Sequence, residues 1–221
     1  MNKPLSPLLK TVVASATVAL SFGAAAQATG DVKAGESKAA MCIGCHGIPG
    51  YQNSFPEIHK VPKISGQSDK FIVSALVAYQ KGERKHPSMR GIAGSLSEQD
   101  IADLAAFYAG HNPGVTAPET AKEPSAAVKA LLDKGACMSC HGANFSKPVD
   151  PSYPKVAGQH ADYLYVALKA YTVEGNQVVG RANPIMGGIA KQFTLAEMKQ
   201  LANYLSTLDG ELATKPQSRF R

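Results

Sequence analysis

The sequence lacks the features that nucleic acid-binding and membrane-spanning proteins need. Its formal net charge is +6, but no stripe of Lys and Arg interleaved with aromatic residues runs along the chain, which argues against a nucleic acid partner. Beyond the N-terminal segment, no apolar run is long enough to cross a bilayer. The chain also has no stretch that alternates between apolar and polar residues, so the pattern favours an all-α fold.

Cysteine is scarce, with four residues in 221, and all four lie in two copies of one motif. The motifs are 42–46 (CIGCH) and 137–141 (CMSCH). C-x-x-C-H spacing puts two sulfurs on one side of a helical turn, where they can form thioethers with haem vinyl groups, and the adjacent histidine can reach the iron. We therefore predict two covalently bound haem c groups. The predicted attachment residues are Cys42, Cys45, Cys137 and Cys140, and the predicted proximal ligands are His46 and His141.

Three other uses of the cysteines are less well supported. Two disulfides would use the same four residues. A zinc ribbon brings its C-x-x-C pairs to one ion, whereas these pairs begin 95 residues apart. A thioredoxin-like redox pair follows a strand in a βαβ unit, and the sequence shows no such alternation.

The N-terminal residues have the pattern of an export signal. Haem c is attached outside the cytoplasm, so a protein that carries it must be exported. Lys3 and Lys10 give a positive start, residues 11–22 form a short apolar core, and small residues follow. We predict a signal peptide over residues 1–28, with cleavage after Ala26 or Ala28. The mature protein would have a net charge of +4 and would be periplasmic, with peripheral membrane association left open.

The sequence after the first motif repeats after the second. Residues 61–67 (VPKISGQ) match residues 153–159 (YPKVAGQ), and the apolar positions that follow match as well, so the mature chain is an internal duplication. A stretch rich in Pro, Thr and Ala without apolar periodicity separates the copies. The predicted organisation is a signal peptide (1–28), an N-terminal haem domain (29–111), a linker (112–124) and a C-terminal haem domain (125–221).

Helical periodicity accounts for most of each copy. Apolar residues at helical spacing predict helices over 69–80 and 161–172. Each copy also ends in an amphipathic helix that a side chain caps, with Ser97 and Asp100 in the first and Thr194 and Glu197 in the second. Helix-compatible segments, 33–45 and 126–140, lead into the haem motifs.

The sixth iron position decides between electron carriage and ligand chemistry. Met89 and Met186 lie at matched positions, each in a Pro/Gly-rich segment that we interpret as a loop able to turn a side chain towards a haem. Because duplicated units should use matched ligands, both methionines are predicted as distal iron ligands. Four histidines have no histidine at the matched position and are assigned surface or hydrogen-bonding roles: His59, His86, His111 and His160.

Two sets of basic residues need separate interpretation. Lys63 and Lys155 are matched and are predicted to face solvent. Lys81, Arg84, Lys85 and His86 form a local basic run, which we interpret as a solvated loop, with a docking patch for an acidic redox partner as the alternative.

The haem motif near the start of each copy, the Pro-Lys-x-x-Gly-Gln segment, the methionine segment and the final amphipathic helix together resemble the class I cytochromes c. Their duplication resembles the dihaem cytochrome c4 family over essentially the whole mature chain. The resemblance implies two tandem class I cytochrome c domains, packed about a pseudo-twofold axis. It also implies that the carbonyls of Pro62 and Pro154 accept hydrogen bonds from His46 and His141, which would orient both imidazoles.

The expected function is electron carriage by a non-enzymatic protein with His/Met ligation at both haems. The expected partners are redox proteins: a quinol-oxidising complex or dehydrogenase upstream, and a terminal oxidase or reductase downstream. One alternative is the dihaem subunit of a flavocytochrome or other dehydrogenase complex, whose ligation could be the same. A dihaem peroxidase is a weaker alternative, because it needs a haem without a stable methionine ligand.

Overall fold

The structure is a computed structural model that describes residues 28–112 and 114–216. The predicted signal peptide lies outside the described residues, except for Ala28. In the described part of the chain, helices dominate and the strands are two residues long. No helix in this part has the length and apolar character needed to cross a membrane.

The N-terminal half, residues 28–112, contains helices that pack around one apolar core. The helices are α1 (Val32–Lys38), α2 (Ala40–His46), α3 (Asp69–Lys81), α4 (Pro87–Gly94) and α5 (Glu98–Gly110). A short antiparallel pair, β1 (Gln52–Asn53) and β2 (His59–Lys60), lies between α2 and α3. The core contains Ile43, Ile72, Leu104 and Phe107, which come from α2, α3 and α5.

The C-terminal half, residues 114–216, repeats this arrangement. Its helices are α6 (Ala126–Lys134), α7 (Cys137–His141), α8 (Ala161–Ala170), α9 (Pro184–Ala190) and α10 (Leu195–Ser206). Its core contains Leu132, Phe145, Met198 and Leu201. Strands β3 (Arg84–Lys85) and β4 (Gly180–Arg181) come from different halves and pair antiparallel, so the halves share this ladder.

Helices α1 and α5 approach closely because α1 has a glycine at the contact. A Cβ at Gly35 would lie 2.1 Å from the Asp103 carbonyl oxygen, so a larger residue would separate the helices. The Asp103 carboxylate is buried at the same contact, where it accepts from the Asp31 N–H (2.8 Å) and pairs with the Lys38 ammonium (2.5 Å). Hydrogen bonds from Lys38, Asp31 and Gln99 hold the pKa of Asp103 below its usual value.

Both final helices begin with the predicted caps. The Ser97 side chain accepts from the Asp100 N–H while the Asp100 carboxylate accepts from the Ser97 N–H, and Thr194 and Glu197 do the same for α10. Each exchange satisfies two N–H groups that the first turn of a helix leaves free. These two predictions are confirmed.

Several predicted helix boundaries are wrong. The segment 33–45 is two helices, because α1 ends before Ala39 and α2 begins after it. The segment 126–140 is also interrupted, at Ala136, whose φ of +46° is incompatible with a continuous right-handed helix. Met89 and Met186 lie in the short helices α4 and α9 rather than in loops. A proline at the first helical position, which we interpreted as a turn signal, starts each of these helices.

The two halves are joined by a reciprocal exchange of hydrogen bonds between the matched Pro-Lys-x-x-Gly-Gln segments. The Gln159 amide accepts from the Lys63 N–H at 3.0 Å and donates to the Lys63 carbonyl at 2.9 Å. The Gln67 amide makes the same two bonds with Lys155, at 2.9 and 3.0 Å. Both glutamine side chains are buried, so each amide satisfies backbone groups that water does not reach.

The lysines of the same segments also cross the junction. The Lys63 ammonium donates to the Gly158 carbonyl (2.6 Å), and the Lys155 ammonium donates to the Gly66 carbonyl (2.8 Å) and pairs with Glu211. The prediction that these lysines face solvent is therefore wrong. It failed because their partners are backbone oxygens of the other half, which no local pattern reveals.

The exchange of hydrogen bonds depends on a glycine that no other residue can replace. Gly66 has φ of +81°, and a Cβ at this position would lie 2.2 Å from the Glu211 carbonyl oxygen. Its N–H donates to the Tyr108 carbonyl at the end of α5 (2.8 Å). The turn therefore fixes the segment to its own half while presenting a carbonyl to the other half.

Further ion pairs surround this junction. Lys60 of β2 pairs with Asp162 of α8 (3.0 Å), and Lys169 of α8 pairs with Glu57 (2.9 Å). These pairs are partly exposed, so each contributes little to stability.

Replacing Gln159 should destabilise the docked halves. We expect Gln159→Leu to lower the free energy of unfolding by about 2 to 4 kcal/mol, because the Lys63 N–H and carbonyl lose their partners in a buried position. Denaturant unfolding of the haem-loaded protein measures the change. Gln192→Leu is the control, because the side chain of this exposed glutamine makes one long hydrogen bond (3.4 Å), to the Gly188 carbonyl of the preceding helix α9. Equal stability of the two variants would contradict the structural role of the exchange.

Candidate haem sites

The C-terminal half contains a cavity of about 430 Å³ whose wall holds five of the predicted site residues, Pro154 among them. Cys137, Cys140 and His141 reach it from α7, and Met186 reaches it from α9. Most of the remaining wall is apolar, including Phe145, Val156, Leu164, Leu168 and Leu201. The cavity thus combines thiols, an imidazole and a thioether with an apolar lining, which fits the donor set and the face of a haem.

The imidazole of each haem motif is held by a proline carbonyl. His141 Nδ1 lies 3.0 Å from the Pro154 carbonyl oxygen, and His46 Nδ1 lies 2.8 Å from the Pro62 carbonyl oxygen. Since a carbonyl only accepts, Nδ1 carries the proton and Nε2 has a free lone pair in the neutral ring. Each histidine therefore presents Nε2 as a metal ligand in a fixed orientation.

Burial keeps both imidazoles in the neutral form that binds metal. Loss of solvation lowers the pKa of His46 and of His141, and the hydrogen bond to the proline carbonyl only partly offsets this effect. Burial also raises the pKa of the Cys42 and Cys137 thiols. The Tyr108 hydroxyl, buried beside Cys42, is one of the few buried polar atoms without a hydrogen-bond partner in the described part of the chain.

The positions of the cysteines do not support disulfides between them or a shared zinc site. No disulfide links any of the four cysteines. The two pairs lie in separate halves, and no group of three or more His, Cys, Asp or Glu residues in 28–112 and 114–216 is arranged to hold a metal ion. The two cysteine pairs are therefore not placed to share one metal ion.

The two methionines occupy equivalent positions in α4 and α9. The residue before each helix caps it, because the His86 Nδ1 faces the Met89 N–H (3.4 Å) and the Asn183 side-chain oxygen accepts from the Met186 N–H (2.9 Å). A methionine in a capped first turn has a defined backbone position, which a loop would not provide.

The N-terminal half differs from the C-terminal half at this cap. The His86 side chain also contacts the Asn53 side-chain amide (3.2 Å). Like His86, the unmatched His59 and His111 have hydrogen-bonding roles, with Glu57 and Ser65 as their partners.

Sequence reasoning missed the part of the C-terminal cavity that comes from the other half. Phe71, Ala75 and Ala78 of α3 line this cavity, together with Arg84 of β3 and Arg181 of β4. The basic run was therefore misinterpreted, because Arg84 lies at the junction and Lys85 donates to the Asn176 carbonyl (2.5 Å). A signal was available in the repeat, since Arg84 and Arg181 both lie five residues before a predicted methionine ligand.

The cap of α9 can be tested without a haem-dependent assay. We expect Asn183→Ala to lower the free energy of unfolding of the C-terminal half by about 1 kcal/mol, since the Met186 N–H loses its acceptor. Asn183→Ser should restore most of the stability because serine is also a good cap. Thermal unfolding followed by circular dichroism measures both variants, and equal stability of Ala and Ser would argue against capping.

Comparison with known proteins agrees with this geometry. The family described as cytochrome c matches residues 32–110 and again residues 125–209. Cytochrome c4 of Stutzerimonas stutzeri is 31% identical, over 94% of this chain and all of the relative. A thiosulfate dehydrogenase electron acceptor of Thiomonas intermedia is 29% identical, over 90% of this chain and 91% of the relative.

A solved structure is similar over most of the chain. Reduced recombinant cytochrome c4 from Pseudomonas stutzeri superposes with a TM-score of 0.60 at 27% identity, covering 82% of this chain and all of the solved chain. The expected fold, two tandem helical cytochrome c domains, is therefore confirmed. The chain belongs to the cytochrome c family, as a dihaem cytochrome c4 whose two domains each carry a covalently bound haem c.

Proposed function

We propose that this protein is a periplasmic electron carrier in which each domain holds its haem between a histidine and a methionine. The observation that carries the proposal is the C-terminal cavity, because Cys137, Cys140, His141 and Met186 all line it. These residues supply two thioether positions, a proximal nitrogen and a distal sulfur. A filled sixth position leaves no open site for substrate, which favours electron transfer over catalysis.

The N-terminal site is proposed from the repeat and from its own hydrogen bonds. Cys42, Cys45 and His46 form the same motif, His46 has the same proline carbonyl as partner, and Met89 occupies the same position in its helix. We assign Cys42 and Cys45 as thioether residues and His46 and Met89 as axial ligands. Pro62 and Pro154 are assigned as the groups that orient the two histidines.

Each group of residues has a separate task in this proposal. The proline carbonyls hold the imidazoles in one orientation and one tautomer. The apolar wall around Phe145 and Leu201 excludes water, so little solvent must reorganise when the charge changes. The methionine sulfurs favour the reduced state. When bound, each haem supplies the one-electron chemistry of its iron.

The cellular setting is proposed from the sequence and the family together. Residues 1–28 would be removed on export, leaving haem domains over 29–111 and 125–221 joined by the linker 112–124. Electrons would come from a quinol-oxidising complex or a dehydrogenase and pass to a terminal oxidase or reductase. The dihaem family supports redox protein partners in general.

Replacing either methionine tests the ligand assignment. We expect Met89→Ala and Met186→Ala each to remove about half of the methionine-to-iron charge-transfer band of the oxidised protein, and to let one haem bind carbon monoxide, because one iron loses its distal sulfur. Visible spectra of the oxidised and carbon monoxide-treated reduced forms measure both effects. Met198→Leu is the control, because Met198 of α10 is buried in the apolar core of the C-terminal half. Unchanged spectra in both alanine variants would refute the assignment.

A second candidate function is favoured by one relative. Because a thiosulfate dehydrogenase electron acceptor aligns over most of this chain, we propose as the alternative that this protein accepts electrons directly from a dehydrogenase of a sulfur oxyanion. Stopped-flow mixing of the oxidised protein with a thiosulfate dehydrogenase and thiosulfate tests it. Reduction of both haems at micromolar protein would support this role, and reduction no faster than without the enzyme would reject it.

A further inference from the structure

Two arginines from different domains meet at the junction. Strands β3 and β4 place Arg84 directly opposite Arg181. Both guanidinium groups donate to the same hydroxyl, that of Tyr163, at 2.9 and 3.1 Å. Because the arginines occupy matched positions in the duplication, the pair is a product of the repeat and of the way the two domains dock.

Aromatic rings surround the pair but do not neutralise it. The Arg84 Cζ lies 5.0 Å from the Tyr79 ring centroid and 5.7 Å from that of Phe71. The Arg181 Cζ lies 5.3 Å from the Tyr171 ring centroid and 5.6 Å from that of Tyr163. Such contacts stabilise a cation, yet each ring carries no net charge to oppose two adjacent guanidinium groups.

The pair has no carboxylate partner within the described chain. None of the ion pairs formed by residues 28–112 and 114–216 involves Arg84 or Arg181. The neighbouring Glu83 is exposed. The Arg84 Nε is buried and has no hydrogen-bond partner among the residues that the structure describes. Two like charges and an unsatisfied donor at a protein junction are costly unless an anion accompanies them.

The behaviour of Tyr163 is consistent with a local excess of positive charge. Burial alone would raise the pKa of its hydroxyl, but the charges of Arg181 and Arg84 outweigh burial and lower that pKa. An anion bound to the guanidinium groups would remove this effect.

Both arginines line the cavity that His141 and Met186 also line. A haem c bears two propionate carboxylates, and a guanidinium fork matches a carboxylate in shape and charge. We infer that Arg84 and Arg181 form one carboxylate-binding site for the propionates of the C-terminal haem, so that the N-terminal domain supplies a contact to the cofactor of the other domain. This inference rests on the proposed function.

The inference makes the potential of the C-terminal haem depend on a residue of the N-terminal domain. A positive charge beside a propionate favours the reduced iron, so its removal should favour the oxidised iron. In a Met89→Ala background, the methionine-to-iron band reports the C-terminal haem alone. In a Met186→Ala background, it reports the N-terminal haem alone.

Arg84→Gln is therefore tested by redox titration of this band in both backgrounds. In the Met89→Ala background, we expect the ratio of oxidised to reduced C-terminal haem at a fixed potential to rise by up to about tenfold, because the lost positive charge stabilised the reduced state of the iron more than the oxidised state. Arg84→Lys keeps the charge but not the fork and should give a smaller change in the same direction. Lys33→Gln, which removes an exposed and unpartnered lysine charge of the same domain, should leave the ratio within twofold.

The outcomes separate this inference from the proposed function. If the Met89→Ala protein shows no methionine-to-iron band, the ligand assignment fails. If the band is present but neither Arg84 variant changes the C-terminal ratio more than Lys33→Gln does, the inference is wrong. A shift confined to the Met186→Ala background would also overturn it, because Arg84 would then act on the haem of its own domain. If Arg84→Gln does not fold, Arg84→Lys decides the question.

Discussion

The structure depends on the Pro-Lys-x-x-Gly-Gln segment, which acts on its own domain and on the neighbouring domain at once. Its proline carbonyl holds the histidine of its own haem motif. Its lysine and glutamine, four residues apart along the chain, exchange hydrogen bonds with the matched segment across the junction. In each segment, only a few covalent bonds separate the residues that bind the other domain from the proline carbonyl that orients the proposed proximal ligand. A shift of one domain against the other would therefore move both carbonyls.

This arrangement accounts for a duplicated carrier better than for two independent ones. Each buried glutamine forms hydrogen bonds with backbone groups of the other copy. Either domain alone would lose these partners. The C-terminal cavity also depends on both domains, because α3 and Arg84 of the N-terminal domain form part of its wall.

The sequence predicts those features that depend on residues close together along the chain. The haem motifs, the duplication, the capping boxes at Ser97 and Thr194 and the all-α class follow from spacing within a few residues. It was uninformative where partners come from the other copy. Lys63 was assigned to solvent because its acceptor, the Gly158 carbonyl, lies 95 residues away. Arg84 was assigned to a basic surface run for the same reason, since its opposite strand belongs to the other domain.

The most direct test of the account is an intact mass measured together with visible spectra of the exported protein, made in cells that attach haem c. The account predicts a mass greater than that of the processed chain by two haems, with both irons low-spin and unreactive towards carbon monoxide as isolated. A protein with one haem, or with one high-spin iron that binds carbon monoxide at once, would contradict it.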